Sequence, residues 1–391
     1  MASASGVGIP PFFPTRPGAF LCAAVAGAFL AALCCLAAPS PSRAQTSAEN
    51  PPAVSGNSPA APSLGTMLAG RRFSASRPFG GSVDVASARE VARADAWNTA
   101  LQSILRPLAS LPDVRFAGSL PNAWQPDILA LARACVSTRP LLESVSRRDS
   151  ILTATIELAA PPVGRSLEKC ISDTLVQHER LELYGLAAAQ ERAQVQEYDA
   201  ALAADRAGAL PETGERARAA VRSLRALRLY ADALASFSGI WNDPSASRDV
   251  FLEALDIAPQ TPLILNALGD ATLQLGRSQE AVELQTRALV LNPSFARAYH
   301  SRGLANLALN LPFVAERDLT QAVSLAPARA AYVRDRGVAR LLRENIPGMC
   351  EDFYAACVLG DCVKLHWAVE HKRCSPQALR GQTENASQTP Q

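Results

Sequence analysis

From about residue 228 onward, apolar residues recur in short helical runs, and three of these runs close on a proline, at Pro259, Pro293 and Pro327. The prolines are 34 residues apart. Between them lie Leu265, Leu268, Leu284, Leu289, Tyr299, Leu319 and Val323, many of them at the three- and four-residue steps that line one face of a helix. Small residues recur in register with the prolines: Gly269 with Gly303, Ala281 with Ala315, Ala288 with Ala322. Small side chains let two helices approach closely, and proline, which lacks an N–H, ends the second one. The pattern predicts helix-turn-helix units stacked in a row, each covering the apolar stripe of its neighbour. One period back stand Leu234-Ala235, Ser247, Phe251 and Ala254; one period forward stand Gly337, Phe353 and Ala356. In that last unit Met349 replaces a small residue, and Asp361 stands where a proline is due. The units expected are therefore 228–261, 262–295, 296–329 and 330–363, with the outer two eroded and a capping helix at 364–376.

On these residues the segment resembles the tetratricopeptide repeat family, over residues 228–376 of 391. The resemblance implies an α-solenoid in which the first helix of each unit lines a concave groove that binds protein or peptide. The groove-facing positions correspond here to Asn266, Asp270 and Gln274, then Arg297, His300 and Leu304, then Arg334 and Val338. Such a lining suits an extended peptide with apolar and acidic groups. Family members that grip chaperone tails use a lysine and asparagine clamp; His300 and Leu304 occupy two of those places, so a chaperone-tail receptor is not implied.

Upstream the pattern changes. Val91, Ala94, Leu101, Ile104, Leu105 and Leu108 form one helical face with Trp97 beside it, Ser87-Ala88-Arg89-Glu90 reads as a capping box, and Pro107 should disturb the helix end. A second helix is expected over Gln125–Val136, and Ser150–Leu158 alternates like a half-buried strand. Together these predict a small α+β domain over 81–173, similar in pattern to N-terminal modules of some bacterial envelope lipoproteins and flagellar accessory proteins. Residues 174–227 read as a helical connector broken near Gly208–Pro211, and the charges Glu179, Arg180, Glu182, Glu191, Arg192 and Glu197 read as its solvated face. The fold expected is mainly α, with a small α+β domain ahead of the solenoid.

The first 44 residues contain an uncharged run, Ala19 to Ala38, followed by Ser42-Arg43-Ala44, which reads as a signal peptide with a small-x-small cleavage site. The competing reading is an uncleaved anchor, in which case this segment alone contacts membrane. Export to the periplasm or cell envelope of a bacterium is expected. Residues 45–80, rich in Pro, Ser, Ala and Gly, read as a disordered linker, and 377–391 as a disordered tail. A net charge of +2 gives no basic face for nucleic acid.

Six cysteines follow the leader: Cys135, Cys170, Cys350, Cys357, Cys362 and Cys374. An even count in an exported chain suggests disulfides. Cys350 and Cys357 lie about 10 Å apart on one helix, too far to bridge each other. That helix can be linked to Cys362 or Cys374, and Cys135 with Cys170 could close the N-terminal domain. Free thiols, or zinc on Cys362, His366, His371 and Cys374, are the alternatives, although residues on one short helix do not converge easily on a tetrahedron. Phosphate-cradling, H-E-x-x-H and G-x-S-x-G motifs are lacking in the sequence. The expectation is a non-enzymatic scaffold without cofactor, metal or catalytic residues. Self-association through the repeats is the alternative, and an enzyme with its site in the α+β domain comes third.

Overall fold

A computed structural model of the chain describes residues 70–79, 83–109, 128–136, 138–146, 149–158, 169–170, 178–206 and 213–375. The expected leader, most of the linker, the break at Gly208–Pro211 and the tail lie outside these residues. A three-stranded antiparallel sheet opens the described part, made of β1 (Arg72–Pro78), β2 (Thr138–Ser146) and β3 (Ile151–Leu158) in the order β1-β3-β2. Along β3 the burial alternates, and Leu152, Ala154, Ile156 and Leu158 face inward. Helix α1 (Val85–Ala109) packs on β1 and β3, burying Ala88, Val91, Ala92, Ala96, Leu101, Ile104 and Leu108. Helix α2 (Ile128–Cys135) packs beside it.

Three expectations need correcting here. β1 falls inside the stretch read as linker. Its serines and arginine, which gave that stretch a loop-like composition, form the outer face of an edge strand: Ser74 and Ser76 pair with Thr155 and Thr153 at 2.7 Å each, and Arg72 Nε donates to Glu157 at 3.1 Å. α1 starts at Val85, so Ser87 is not its cap. Asp84 is, accepting the Ser87 N–H at 2.7 Å, which holds its carboxyl below the usual carboxylate range. The helix also continues through Pro107 to Ala109.

Two long helices follow, α3 (His178–Arg206) and α4 (Thr213–Ala233), packed against each other as a hairpin. α4 supplies the leading helix of the first unit only in part. The helix expected from residue 228 stops at Ala233, and a short 3-10 turn (Leu234–Ser236) and a Phe237–Trp241 bridge take its place. Aromatic packing explains the departure: Trp241 lies 4.8 Å from both Phe237 and Phe251, and Tyr230 lies 6.0 Å from Phe251, ring centroid to centroid. Asp243 then caps α5 (Pro244–Ile257), accepting from the Ala246 N–H at 2.9 Å.

Beyond this point the 34-residue period is kept. Helices α6 (Pro262–Gln274), α8 (Ala296–Ala308) and α10 (Ala330–Leu342) are the first helices of successive units; α7 (Ser278–Leu291), α9 (Pro312–Leu325) and α11 (Ile346–Val358) are the second. The first helices all begin one period apart, as do the second. The chain is mainly α, a solenoid of tetratricopeptide-like units preceded by a small sheet-containing region. Gly276, Asn310 and Glu344, also one period apart, take positive φ (78°, 57° and 61°) in the turns between paired helices. The glycines at 269, 303 and 337 stand where those helices come closest. A Cβ there would lie 2.4 Å from Gln285, 2.7 Å from Leu319 and 2.6 Å from Phe353. Pro259, Pro293 and Pro327 each follow a helix C-cap.

Helix α12 (Val363–Glu370) covers the end of α11. Met349, Phe353, Cys357, Leu365 and Ala368 form its core. The structure joins Cys350 to Cys374, Cys357 to Cys362, and Cys135 to Cys170, with Cα separations of 5.7, 4.0 and 5.7 Å. Among the described residues no helix is long and apolar enough to cross a membrane.

Candidate functional site

The first helices of the units bring Asn266, His300 and Arg334 to equivalent places, and each reaches toward the C-terminal end of the array. Asn266 Nδ2 donates to Ser301 Oγ at 3.2 Å, His300 Nε2 lies 2.8 Å from Asp335 Oδ2, and Arg334 Nη1 donates to Asp361 Oδ2 at 2.7 Å. These three expected groove residues thus form a polar ladder. Asp361, which stands in the place of a fourth proline, is its last rung. Burial by itself would raise the Asp335 carboxyl, but Arg334, which donates from Nε at 2.8 Å and Nη2 at 3.0 Å, and then His300 hold it down to about 2. The His300 ring stacks on Tyr332, centroids 4.4 Å apart.

Asp270, Gln274 and Arg297 have partners too. Gln285 Nε2 donates to Asp270 at 3.2 Å, and Gln274 Oε1 accepts the Trp241 N–H at 3.2 Å. Arg297 Nη2 donates to Asp270 at 3.4 Å, while its Nη1 donates to Glu179 Oε1 at 2.8 Å. Glu179 belongs to the first turn of α3. Three residues on, Glu182 accepts from Arg329 at 2.5 Å. Positions i and i+3 share a helix face, so this turn of α3 offers two carboxylates to two arginines of the repeats. The Arg297 guanidinium also lies over the Phe237 ring, 5.9 Å from its centroid. Asn266, Arg297 and His300 are accordingly buried.

The charged residues of α3 are therefore not simply a solvated face. Glu179 and Glu182 pair with the repeats, and Glu191, buried, pairs with Arg133 of α2. Around Arg297 the electrostatics are tight: burial would lower its pKa, but Glu179 and Asp270 raise it well above the ordinary value. Burial raises the Asp270 carboxyl, with Arg297 opposing.

Two further ion pairs, each a half-buried arginine on a buried carboxylate, stand one period apart. Arg302 grips Asp318 with Nε at 2.9 Å and Nη2 at 2.8 Å, and Arg336 grips Asp352 at 3.1 and 2.7 Å. Their signal was present in the sequence as Arg302/Arg336 and Asp318/Asp352 at the repeat spacing; the equivalent pair in the preceding unit is Leu268 with Leu284. Arg329 left no such signal, since Thr261 and Phe295 stand at the equivalent positions. The residues weighed as zinc ligands are not gathered around one point. Cys362 and Cys374 are bonded to different cysteines, and His371 stacks on Trp367 at 4.9 Å. Among the described residues no group of three His, Cys, Asp or Glu side chains could hold a metal ion.

No model of a known protein family matches the chain. Over 106 residues it is 27% identical to the peroxisomal targeting signal receptor of Kluyveromyces lactis, a match that takes in 26% of this chain and 19% of that protein. The chain thus spans about a fifth of that relative's length. Among solved structures it is similar to the first tetratricopeptide domain of human RPAP3, with 23% identity, 32% of this chain and 98% of that one covered, and a TM-score of 0.28. It is also similar to MamA from Desulfovibrio magneticus RS-1, with 19% identity, 44% and 94% coverage, and a TM-score of 0.31.

Proposed function

We propose that this chain is an exported scaffold without catalytic activity, which binds a protein or peptide segment in the cell envelope through the inner face of its repeats. One observation carries the reading. Arg297 and Arg329, on the repeats, each hold a carboxylate delivered by a helix outside them, so this face is chemically equipped for an acidic segment. The Kluyveromyces lactis relative is named a receptor for a targeting signal, and similarity to it supports segment recognition. Export is supported by the apolar run and small-x-small site at the N-terminus, and by six cysteines beyond them joined in three pairs. The test is crosslinking capture from a periplasmic extract, with wild type beside an Arg297→Gln/Arg329→Gln variant whose melting temperature is checked. Partners captured by wild type and lost by a folded variant support the reading; an unchanged set of partners overturns it.

A second reading, self-association, has an observation of its own. Leu291, Leu325 and Leu359 occupy one place in three successive units and are each about 40% exposed, with Val290 and Val358 more exposed beside them. Light scattering of the purified chain decides it. A stable oligomer that dissociates on Leu325→Glu favours this stripe as the interface, and a monomer at all concentrations removes it.

A further inference from the structure

The face of the repeats that carries Arg297 is already in use. Its central arginine, Arg297, is 9% exposed at the side chain and is held by Glu179, which is itself 44% exposed. The contact therefore joins a buried cation to a carboxylate still open to water. Arg329 and Glu182 form a second, half-buried pair one helical step away, with Leu181 fully buried between the two acids.

The fit of this occupant is incomplete. Arg297 Nε is buried and makes no hydrogen bond, and neither does the hydroxyl of Tyr230, which is fully buried in the same layer, close enough to feel the charges of Arg297, Asp270 and Glu182. Buried polar atoms without partners are uncommon and costly. Two of them near one ion pair leave hydrogen-bonding capacity that α3 does not satisfy.

We infer that the first turn of α3 is an internal stand-in for the ligand of the repeats, and that the external ligand is an acidic helical segment of the form Glu-x-x-Glu, with a large apolar residue between its acids, which displaces that turn. The inference rests on the binding role proposed above for the same face. The chemistry follows from the stand-in. Two carboxylates on one helix face reach Arg297 and Arg329, an apolar side chain fills the place of Leu181, and a further acceptor on the ligand satisfies Arg297 Nε or the Tyr230 hydroxyl. Because the stand-in is tethered, it is present at high effective concentration, and the apparent affinity for any outside ligand is reduced by the fraction of time the turn is docked.

The test uses the full chain and a fluorescein-labelled peptide copying residues 178–189, with fluorescence anisotropy as the readout. Glu179→Gln/Glu182→Gln in the protein should tighten peptide binding at least tenfold over wild type, and a peptide carrying both glutamines should bind neither protein. Equal affinity of the folded variant and wild type overturns the inference, as does equal binding of the glutamine peptide. Should the variant prove unfolded, hydrogen exchange on wild type decides: excess peptide should speed exchange of the first-turn amides of α3, and no acceleration at any concentration overturns the inference. The two proposals fail separately. A wild-type protein that captures partners through Arg297 and Arg329, but gains nothing from releasing the turn, loses the stand-in and keeps the scaffold role. A turn that the peptide displaces in a protein that captures nothing keeps the stand-in and loses the role.

Discussion

Arg302 and Asp318 sit where the preceding unit places Leu268 and Leu284, so the chain contains both an ionic and an apolar solution to one packing position. Removing one member of a buried ion pair strands the other, which typically costs about 3–5 kcal/mol, whereas replacing both with well-packed apolar residues is often neutral. Arg302→Leu alone should therefore lower the urea midpoint sharply, and Arg302→Leu with Asp318→Leu should recover most of the loss. An additive double variant would show that the pair is not coupled. The glycines allow a second prediction. Gly337→Ala places a methyl against the Phe353 ring and 3.1 Å from Asp352 Cβ, neither of which can swing aside, so overpacking should cost about 1–3 kcal/mol in chemical denaturation. Gly269→Ala meets the buried Gln285 amide, which would have to give up its hydrogen bonds to Asn266 and Asp270 to move aside. The glycines were legible in the sequence because an offset of 34 betrays a steric need. The ion pairs were legible only as charges recurring at the same offset, because a charge within a helical run has the same appearance whether it meets water or a partner on the next helix.

Periodicity made the paired helices legible, with second helices starting at 244, 278, 312 and 346. It failed where packing or pairing overrode local pattern. α4 stops at Ala233 because the aromatic cluster around Trp241 fills the space a longer helix would need, and β1 was hidden because an edge strand with a polar outer face has the composition of a tether. The inter-helix turns yield a further prediction. Glu344 holds a left-handed conformation that glycine adopts without a Cβ penalty, and Gly276 already does so in an equivalent turn. Glu344→Gly should stabilise the last unit by up to about 1 kcal/mol, read as a higher melting temperature. The Cys350–Cys374 link fastens the capping helix over the core around Phe353. Cys350→Ser/Cys374→Ser should destabilise this end by about 2–4 kcal/mol. Under non-reducing mass spectrometry the untreated chain should show no alkylatable thiol at Cys135, Cys170, Cys350, Cys357, Cys362 or Cys374; reactive thiols at all six would refute the links.

Across the whole molecule, pH acts on the ladder in a definite direction. Asp335 has a folded pKa of about 2 against an ordinary value of 3.8, so its contribution is complete above pH 4 and is lost as pH falls toward 2. The loss is on the order of 2 kcal/mol. Asp270 works the other way, since its carboxyl is raised by burial and its contribution diminishes as pH rises. Asp335→Asn should flatten the acid limb of a stability profile measured by denaturation from pH 5 to 2; an unchanged acid limb would contradict the assignment. The repeat register placed Arg297 and His300 on the first helix of a unit, but no spacing in the sequence connects Glu179 with Arg297, because a contact between distant elements leaves no periodic trace.

α3 joins the two halves of that picture. Its first turn meets the repeats through Glu179 and Glu182, and about 30 Å farther along Asp199 is clasped by Arg77 of β1, while Tyr198 and Ala201 pack in one core with Leu152 and Ala154 of β3. Between these two ends the helix is packed along its length, with Ala187 and Val195 buried. One continuous helix therefore ties the edge strand of the sheet to Arg297 and Arg329 of the repeats.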